Sequence, residues 1–365
     1  MIINRAFYRE TASSTLAIAS VLLVVMVLMS MTLLLGRAVR GDQPSEIVYL
    51  LLGFQTLAKV DVLLPLALYL GLLLTLSRWY RDSEMTVLAA CGVGLMHFLR
   101  PALKLGLVFA LIVAVGSFYF TPLAARQIDK VKNESTHRSD PNFSAPGVFV
   151  ESISKGRIFY AEHIQDNGDV AGVFVSSLEE GKQGVMMAKY GHVFTDSKTG
   201  DKFFALHNGT LYEGEPGMPN YRILEFDIYN LRIEPKKLLD VPVTTSGLPS
   251  VLMFSRSADR EVNAELHWRL GKTLASFVLI LFAMALAYTD LRRGRLSNLF
   301  VAIVVYFIYS NLLGIGETML QKGSVPAALG LWWVHGGMAL VAIHLLIQRA
   351  HNQPLWALPA IFKRQ

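Results

Sequence analysis

The chain has 365 residues, of which 53% are hydrophobic and 17% are charged, and its mean hydropathy is +0.41. A water-soluble core of this length does not hold so much apolar material, so the excess is expected to face lipid. The formal charge of +6 comes from Lys and Arg that lie mostly at the ends of apolar runs, without the dense basic tract of a nucleic-acid-binding protein. The single cysteine, Cys91, excludes an intramolecular disulfide and a cysteine-based zinc site.

Six uncharged apolar runs are predicted to cross the membrane as helices. A hydrocarbon layer of ~30 Å takes about 20 helical residues, and the first run that is long enough covers residues 15–36. Its length and the sequence after it favour a retained anchor over a cleaved signal peptide. The second run follows an interrupted apolar stretch, 47–58, which is compatible with lying flat in the membrane interface. The other five runs are 62–77, 105–125, 273–289, 296–316 and 325–347.

The basic residues of the short loops predict the orientation, because positive charge is retained in the cytoplasm. The face with most of them carries Arg5, Arg9, Arg78, Arg81, Arg100, Lys104, Arg292, Arg293, Arg295, Arg349, Lys363 and Arg364. The opposite face carries only Arg37, Arg40, Lys59 and Lys322. Both termini are therefore expected in the cytoplasm, and the central segment is expected in the periplasm of a bacterium. The chain is predicted to be a multi-pass membrane protein, which in a bacterium would lie in the inner (plasma) membrane.

The central segment is predicted to be an inserted all-β domain. Its stretches of alternating or β-branched and aromatic residues are separated by Gly, Asn and Asp, as in an antiparallel sandwich or jelly roll. Polar stretches at 130–146 and 235–260 are predicted linkers that let the domain swing. The predicted strands are 147–151, 157–163, 172–175, 184–194, 202–206 and 221–228.

The predicted fold class is therefore an α-helical membrane protein with six transmembrane helices, three on each side of a periplasmic jelly-roll-like domain. Helices 1–3 and a cytoplasmic helix at 82–92 belong to residues 1–125. The β domain covers 126–260, and helices 4–6 with a cytoplasmic tail cover 261–365.

The common motifs of nucleotide binding and hydrolysis do not occur in this sequence. Gly-x-x-x-x-Gly-Lys-Ser/Thr, His-Glu-x-x-His and Gly-x-Ser-x-Gly are all missing. The apolar runs contain few ionisable side chains. His335 and His344 are about half a helical turn out of phase, so we expect structural hydrogen bonds from them and neither shared metal ligation nor a proton relay. No catalytic residue, metal ligand or cofactor is assigned to the chain, and any use of ATP must come from a partner.

A short amphipathic helix is predicted at 82–92, in the cytoplasmic loop between the second and third runs. Ser83 or the preceding Asp82 can cap its first turn. Glu84 complements the positive end of the helix dipole, and Gly92 can supply a left-handed stop. Its apolar face consists of Met85, Leu88 and Ala89. Such a helix fits a groove on a nucleotide-hydrolysing subunit, and the alternative is a helix that lies on lipid.

Three separated segments carry a recognisable pattern: MIINRAFYRET at 1–11, SEMTVLAACG at 83–92 and AELHWR at 264–269. Together they resemble the lipopolysaccharide export permease family, and most closely its F-type subunit. The similarity extends over essentially the whole chain, and its matches occur in a consistent order. The G-type subunit has the same layout, but Thr86 and the Ala-Cys-Gly sequence at 90–92 favour the F-type.

The resemblance implies a permease subunit of an ABC exporter, which is not itself an enzyme. Such an exporter extracts lipopolysaccharide from the inner membrane and passes it to a periplasmic bridge for delivery to the outer membrane. The implied partners are a homologous G-type permease, two copies of a cytoplasmic ABC ATPase that binds ATP and Mg, and a single-span periplasmic jelly-roll bridge protein. The chain itself is expected to bind no cofactor.

The resemblance also implies a coupling site for the ATPase. In that family the segment that matches 83–92 is the coupling helix, and the carboxylate at Glu84 faces the ATPase. Arg5, Arg9 and Glu10 match an N-terminal motif that supports the same junction. The residues assigned to ATPase coupling are Glu84, Ser83, Met85, Leu88, Arg5 and Arg9.

Arg37 and Arg40 are the leading candidates for contact with substrate. They stand three residues apart at the outer end of the first run, on one face and at headgroup depth, and guanidinium groups suit phosphates. The basic residues that the family's first span can present to lipid phosphates are absent at Ser30 and Leu33, so the two arginines are expected to take over that work. The alternative is snorkelling to ordinary phospholipid headgroups. Lys322, after the fifth run, is a weaker candidate.

For the external domain the hypothesis is a strand-lined groove for acyl chains, whose open edge extends a partner's sheet by strand addition. A plain sandwich core explains the same side chains equally well. The inward candidates are Ile158, Phe159, Phe174, Val185, Phe204, Leu206, Ile223 and Phe226, and Phe159, Phe174 and Phe204 are assigned to substrate binding.

Three functions compete: a transport permease, an integral membrane enzyme that acts on an envelope lipid, and a sensor scaffold whose external domain detects a ligand. The absence of clustered ionisable residues at one membrane depth counts against the enzyme. The coupling-like helix favours the permease over the scaffold.

Overall fold

The fold is described from a computed structural model of the chain. The described residues are 2–39, 47–138, 146–152, 157–165, 168–179, 182–196, 201–214, 217–219, 221–233, 244–256, 258–288, 295–351 and 353. The chain forms two compact units. The helical unit comprises Met1–Met29, Gly53–Gln127 and Val243–Gln365, and the β unit comprises Ser30–Leu52 and Ile128–Pro242.

Five helical segments are long and apolar enough to cross a membrane. They are Ile2–Val39, Val48–Arg81, Leu95–Asn133, Arg260–Leu286 and Asn298–Gln321. The α-helices of the described residues are α1 (Ile2–Val39), α2 (Val48–Arg81), α3 (Glu84–Ala90), α4 (Leu99–Val115), α5 (Thr121–Arg138), α6 (Ser250–Ser255), α7 (Arg260–Leu286), α8 (Arg295–Gln321) and α9 (Trp332–Ala350). The chain is therefore a multi-pass helical membrane protein, as predicted at five of the six runs.

The last predicted run, 325–347, coincides only in part with a helix, because α9 begins at Trp332. The 19-residue α9 is not one of the five candidate spans, and it carries two histidines, a glutamine and an arginine. Val334, Ala342 and Leu346 nevertheless belong to the core of the helical unit. The helix is thus a packed part of the bundle.

The second span is a single helix that passes through Pro65. The apolar stretch 47–58, which was compatible with an interfacial segment, instead contains the first turns of α2, so that interpretation is wrong. Val48 and Leu51 are buried against Leu34 of α1, and this contact holds the start of α2.

The third span is longer than the predicted run 105–125. After α4 comes one π-helical turn, Gly116–Phe120, and α5 then continues to Arg138. The first predicted linker, 130–146, therefore begins as helix.

The helices of the bundle differ in how deeply they are buried. In the most apolar window, 61% of α2 and 72% of α7 is buried, against 11% for α1 and 22% for both the third span and α8. The interior is therefore built by α2 and α7. The other three spans expose most of their apolar surface to lipid or to another chain.

The β unit contains a six-stranded antiparallel sheet in which each strand pairs with the next one in sequence. All six predicted strands are present, and five are longer than predicted. The strands are β1 (Val150–Ser152), β2 (Arg157–Ile164), β3 (Val170–Glu179), β4 (Lys182–Thr195), β5 (Lys202–Glu213) and β6 (Arg222–Ile233). An inserted β domain is confirmed, although α5 and α6 add helix within the predicted range 126–260.

A row of irregular positions crosses this sheet. One residue on each of β2 to β6 is missing from the paired register: Glu162, Gly172, Lys189, Asn208 and Asp227. Gly172 (φ 65°) and Asn208 (φ 51°) are left-handed, a conformation that these two residue types tolerate. Val173 and Val175 are buried on one side of the row and Val170 on the other, so the inward-facing set shifts by one residue along β3. The row is a corner in the sheet.

The inner faces on the two sides of this corner pack together. The ring centroids of Phe159 on β2 and Phe204 on β5 lie 6.2 Å apart, although β3 and β4 separate these strands in the sheet. Neighbouring strands are ~4.8 Å apart, so a flat sheet would place β2 and β5 about 14 Å apart. The sheet is therefore folded over, and Val175, Met186 and Leu206 fill the same core.

Four of the predicted inward side chains point outward, namely Ile158, Phe174, Val185 and Ile223. Ile158 is 38% exposed and Ile223 is 60% exposed. Successive side chains of a strand face opposite sides, so an inward Phe159 places its neighbour Ile158 outside. Those four inward assignments are wrong.

Candidate functional site

The predicted coupling helix is present as α3 and is shorter than predicted. Ser83 precedes it in a left-handed conformation (φ 63°), and its side chain makes no capping hydrogen bond. Asp82 instead pairs with Arg81 at 3.3 Å. Side-chain capping needs an extended residue at this position, so the predicted cap is wrong.

The end of α3 matches the prediction. Gly92 is left-handed (φ 85°), its N–H donates to Ala89 O, and the N–H of Val93 donates to Leu88 O at 2.8 Å. This reversal satisfies the last carbonyl groups of the helix, and glycine adopts it without steric cost.

The two faces of α3 have different environments. Met85 is 2% exposed and belongs to the core of the helical unit, against which Leu88 is partly buried. Glu84 and Ala89 are exposed, and Val87 is 62% exposed. The helix thus has an apolar foot in the bundle and an outer surface that carries a carboxylate beside an apolar side chain.

Three aromatic rings support the base of α3. Phe7 of α1 lies with its ring centroid 6.0 Å from that of Trp79 and 5.4 Å from that of Phe98, and Trp79 and Phe98 are 5.4 Å apart. Trp79 precedes α3 in the chain and Phe98 follows it. Because all three rings are nearly inaccessible to solvent, they join both ends of the α3 loop to the first turns of α1.

Glu10 provides the polar part of this junction. Its Oε2 accepts a hydrogen bond from Trp79 Nε1 at 2.6 Å and is ion-paired with Arg78. Arg5 and Arg9, which were assigned to coupling, are exposed on α1. Among the three predicted residues of the N-terminal motif, the structure brings Glu10 to the junction.

Further contacts tie the same end of α2 to α7 and α9. Ser77 Oγ donates to the carbonyl oxygen of Ala287 at 2.9 Å, and the rings of Tyr80 and Tyr288 have centroids 5.3 Å apart. The guanidinium of Arg349 lies 4.1 Å from the centroid of Tyr288. These contacts connect the end of α2 that precedes α3 to the end of α7 and to α9.

The predicted substrate arginines are only partly covered by the structure. Arg37 is exposed in the last turn of α1, and Arg40 lies outside the described residues. Lys322 is exposed after the end of α8. It lines a cavity of 420 Å³ with polar and small residues of that helix, including Ser310, Asn311 and Thr318.

The three assigned phenylalanines of the β unit do not form one group. Phe159 and Phe204 are 5% and 0% exposed in the core of the folded sheet. Phe174 pairs across the ladder with Tyr160, on the face opposite to Phe159, and contacts Phe149 with ring centroids 6.3 Å apart. A groove that contains all three side chains is not formed in this conformation.

The sequence analysis missed a buried ion pair inside the bundle. Lys272 of α7 donates from Nζ to Asp61 Oδ2 of α2 at 2.5 Å, and the side chains are 8% and 1% exposed. Thr121 at the start of α5 donates to the same oxygen at 3.1 Å. The π-helical turn brings Gly116 against Asp61, because a Cβ atom there would lie 3.2 Å from Asp61 Cβ. The carboxylate of Asp61 on α2 thus contacts both the third span and α7.

A second missed group surrounds Arg269 of α7, whose side chain is fully buried. It pairs with Glu265 at 2.9 Å and donates to Ser246 O at 2.8 Å and to Ser250 Oγ at 2.8 Å. Arg126 of α5 donates to the intervening Gly247 O at 2.6 Å. The end of the second predicted linker is therefore held in place by two arginines.

These contacts correct the expectation that the spans contain no ionisable cluster. Asp61, Glu265, Arg269 and Lys272 all lie within helices that are long enough to span the membrane. They were overlooked because the uncharged runs began at residues 62 and 273, directly after the charged Asp61 and Lys272. The i, i+4 spacing of Glu265 and Arg269 was the available signal for a helix that continues outward.

The hydrogen bond predicted for His335 is present. Its Nδ1 lies 2.6 Å from the hydroxyl oxygen of Tyr309, and this hydrogen bond joins α9 to α8 inside the bundle.

The chain is similar in sequence to known proteins. Residues 5–348 match the sequence family described as lipopolysaccharide export system permease LptF/LptG. The chain is 28% identical over 368 residues to the lipopolysaccharide export system permease protein LptF of Escherichia coli strain K12, an alignment that covers 100% of this chain and 99% of that protein. The same identity and coverage hold for the LptF protein of Shigella flexneri.

Proposed function

This chain belongs to the LptF/LptG family of lipopolysaccharide export system permeases, and we propose that it works as the F-type permease subunit of an ABC exporter. In this role it extracts lipopolysaccharide from the inner membrane and passes it to a periplasmic bridge for delivery to the outer membrane. The observation that carries the proposal is the family match over nearly the whole chain, together with a cytoplasmic-loop helix whose apolar foot is seated in the bundle.

The proposed arrangement has six spans, with α9 as the sixth, and a periplasmic jelly-roll-like domain. The domain division is 1–125, 126–260 and 261–365, with both termini in the cytoplasm. The excess of Lys and Arg on the terminal side supports this orientation. The folded-over sheet supports the jelly roll, because both architectures pack two inner faces against each other.

In the proposed mechanism a cytoplasmic ABC ATPase drives the permease through α3. Two ATPase copies bind ATP and Mg, and this chain binds no cofactor. Glu84 and Ser83 face the ATPase, while Met85 and Leu88 anchor the helix in the bundle. A push on α3 moves α2 and the third span together, because Trp79 and Phe98 bracket the helix.

The remaining proposed partners are a homologous G-type permease and a single-span periplasmic jelly-roll bridge protein. Arg37, Arg40 and Lys322 are proposed to meet the phosphates of lipopolysaccharide. An acyl chain that enters the β unit must separate Phe159 from Phe204, so substrate passage requires the folded sheet to open. β6 is an edge strand of twelve residues and is the natural place for a partner's strand to add.

The enzyme alternative gains nothing from the buried ionisable groups. Asp61 and Lys272 neutralise each other, and Arg269 is occupied by Glu265 and by backbone carbonyl groups. A sensor scaffold would not explain why α3 is anchored by Met85 in the bundle while Glu84 and Val87 are exposed.

Reconstitution of the purified chain tests the proposal. The chain alone, in lipid vesicles with lipopolysaccharide, should neither hydrolyse ATP nor alter the lipid, and lipopolysaccharide release should begin when the ATPase and the G-type permease are added. Turnover of nucleotide or a modified lipid from the chain alone would overturn it, as would full release by an assembly that lacks this chain.

A further inference from the structure

A basic hollow lies between the first turns of α1 and the start of α4. It has a volume of 460 Å³, and its lining includes Asn4, Tyr8, His97, Arg100 and Lys104. No acidic side chain is part of this lining. The hollow is separate from the exposed surface of α3 and from the cavity beside Lys322.

The two cations of the hollow have no acidic partner among the described residues. Arg100 and Lys104 are exposed and four residues apart, so they share one face of α4. On the same side of the bundle, Arg78 is ion-paired with Glu10 and Arg81 with Asp82. The hollow therefore keeps two positive charges without a carboxylate partner, whereas the neighbouring Arg78 and Arg81 are each paired with one.

A polar group in the wall of the hollow also lacks a partner. Asn4 Oδ1 is buried and accepts no hydrogen bond from any residue that the structure describes. The two ends of an amide side chain exchange by a simple rotation, so Asn4 can offer either an acceptor or an N–H donor to a bound group. A buried polar atom without a partner is costly, so a ligand or an ordered water is expected beside it.

The face of α4 that carries the two cations continues as an apolar stripe. Leu107, Val108, Leu111 and Val115 follow Arg100 and Lys104 on the same side of the helix and are between 53% and 60% exposed. The opposite face, with Ala102, Gly106, Ala110 and Val113, is buried in the bundle. At 1.5 Å per residue the stripe from Arg100 to Val115 is about 22 Å long, which exceeds the ~15 Å of one leaflet.

We propose that this hollow binds the phosphate of an anionic glycerophospholipid in the cytoplasmic leaflet, with the acyl chains along the α4 stripe. The assignment to that leaflet rests on the proposed orientation of the chain. Cations at the interface above an uninterrupted apolar surface match the shape and charge of a single lipid molecule. A carboxylate of a partner protein would satisfy the cations but would leave the stripe unexplained.

Lipid binding to the purified full-length chain tests the proposal directly. In native mass spectrometry, phosphatidylglycerol should bind more tightly than phosphatidylcholine with the same acyl chains, and free glycerol phosphate should bind least. Arg100→Gln and Lys104→Gln should each weaken phosphatidylglycerol binding about fivefold, the effect of ~1 kcal/mol for one basic residue at an anionic lipid surface. Arg100→Lys should retain most of the binding, because it keeps the charge. Arg81→Gln is the matched control, because it removes one charge from the same side outside the hollow.

Four results would overturn the proposal. These are equal binding of the two phospholipids, equal binding of free glycerol phosphate, an unchanged affinity in both Gln variants, and an equal loss in Arg81→Gln. Displacement of the lipid by the ATPase, with loss of the ATPase in the Gln variants, would show that the cations hold a protein instead. The lipid-binding measurements on the purified chain do not require lipopolysaccharide export, so their failure is distinguishable from failure of the proposed function. Only the leaflet assignment depends on the proposed orientation.

Discussion

Lys272 Nζ lies 2.5 Å from Asp61 Oδ2, and this ion pair joins α7 to α2 in the interior of the helical unit. The pair is nearly inaccessible, and Asp61 Oδ1 has no hydrogen-bond partner among the described residues. An isolated charge at this place is very costly, whereas the pair together is close to neutral in its effect on stability.

The first prediction concerns single and double replacement of this pair. Asp61→Leu or Lys272→Met alone should destabilise the bundle by about 3–5 kcal/mol, because each leaves one buried charge without its partner. The double variant should be much more stable than the sum of the two effects implies. Unfolding of the detergent-purified chain measures the three variants, with Lys322→Met as an exposed control. Simple additivity of the two single effects would show that the charges do not interact.

The second prediction concerns the segment held by Arg269. Arg269→Lys keeps the charge but loses the planar fork that reaches Ser246 and Ser250, so residues 244–256 should exchange their backbone amide hydrogens faster. Hydrogen exchange followed by mass spectrometry measures this change. Arg256→Lys, at an exposed position of the same segment, should leave the exchange unaltered. Unchanged protection in Arg269→Lys would mean that Arg126 alone holds the segment.

The third prediction separates the two faces of α3. Glu84→Ala should weaken association with the ATPase about tenfold or more, since a charge-assisted hydrogen bond contributes ~1.5–3 kcal/mol, and should leave the unfolding of the chain unaltered. Asp82→Ala removes another exposed carboxylate of the same loop and should have a much smaller effect. Co-purification and ATP-driven lipopolysaccharide release are the two measurements. Normal release by Glu84→Ala would show that this carboxylate is dispensable.

The fourth prediction concerns the foot of α3. Met85→Ala opens a cavity in the core of the bundle and should destabilise the chain by about 2–5 kcal/mol. Val87→Ala, at a position that is 62% exposed, is the matched control and should change stability little. Thermal unfolding distinguishes the two variants. Equal stability of both would place the foot outside the packed core.

The existence of the spans and strands was predictable from the sequence, but their ends were not. Apolar runs and alternating residues locate α2 and β4, because burial in lipid or in a sheet imposes those patterns. Because the predicted runs had to be uncharged, they stopped short of Asp61 and Lys272. In the sequence, a charged residue that is neutralised by a partner across the bundle looks the same as a charged residue at the end of a span. A pairing between residues 211 positions apart cannot be read from local patterns.

The corner of the sheet also escaped prediction, for a different reason. Alternation predicts which residues face inward only while a strand stays regular. Gly172 and Asn208 break that regularity, and the inward-facing set shifts beside them. At α3, likewise, the composition predicted the helix and its glycine stop, but not the left-handed backbone that turns the side chain of Ser83 away from its capping role.

The last prediction concerns the opening of the folded sheet. A photo-crosslinking residue in place of Phe159 or Phe204 should capture lipopolysaccharide only while the complete exporter hydrolyses ATP, because both side chains lie in the closed core of the β unit. The same replacement at Phe174 should capture much less, because that side chain lies on the opposite face of the sheet. Crosslinks are counted with ATP and with a non-hydrolysable analogue. Capture at Phe174 alone would place the lipid on the outer face, and capture at none of the three, with crosslinks in the bridge protein, would exclude this domain from the lipid path.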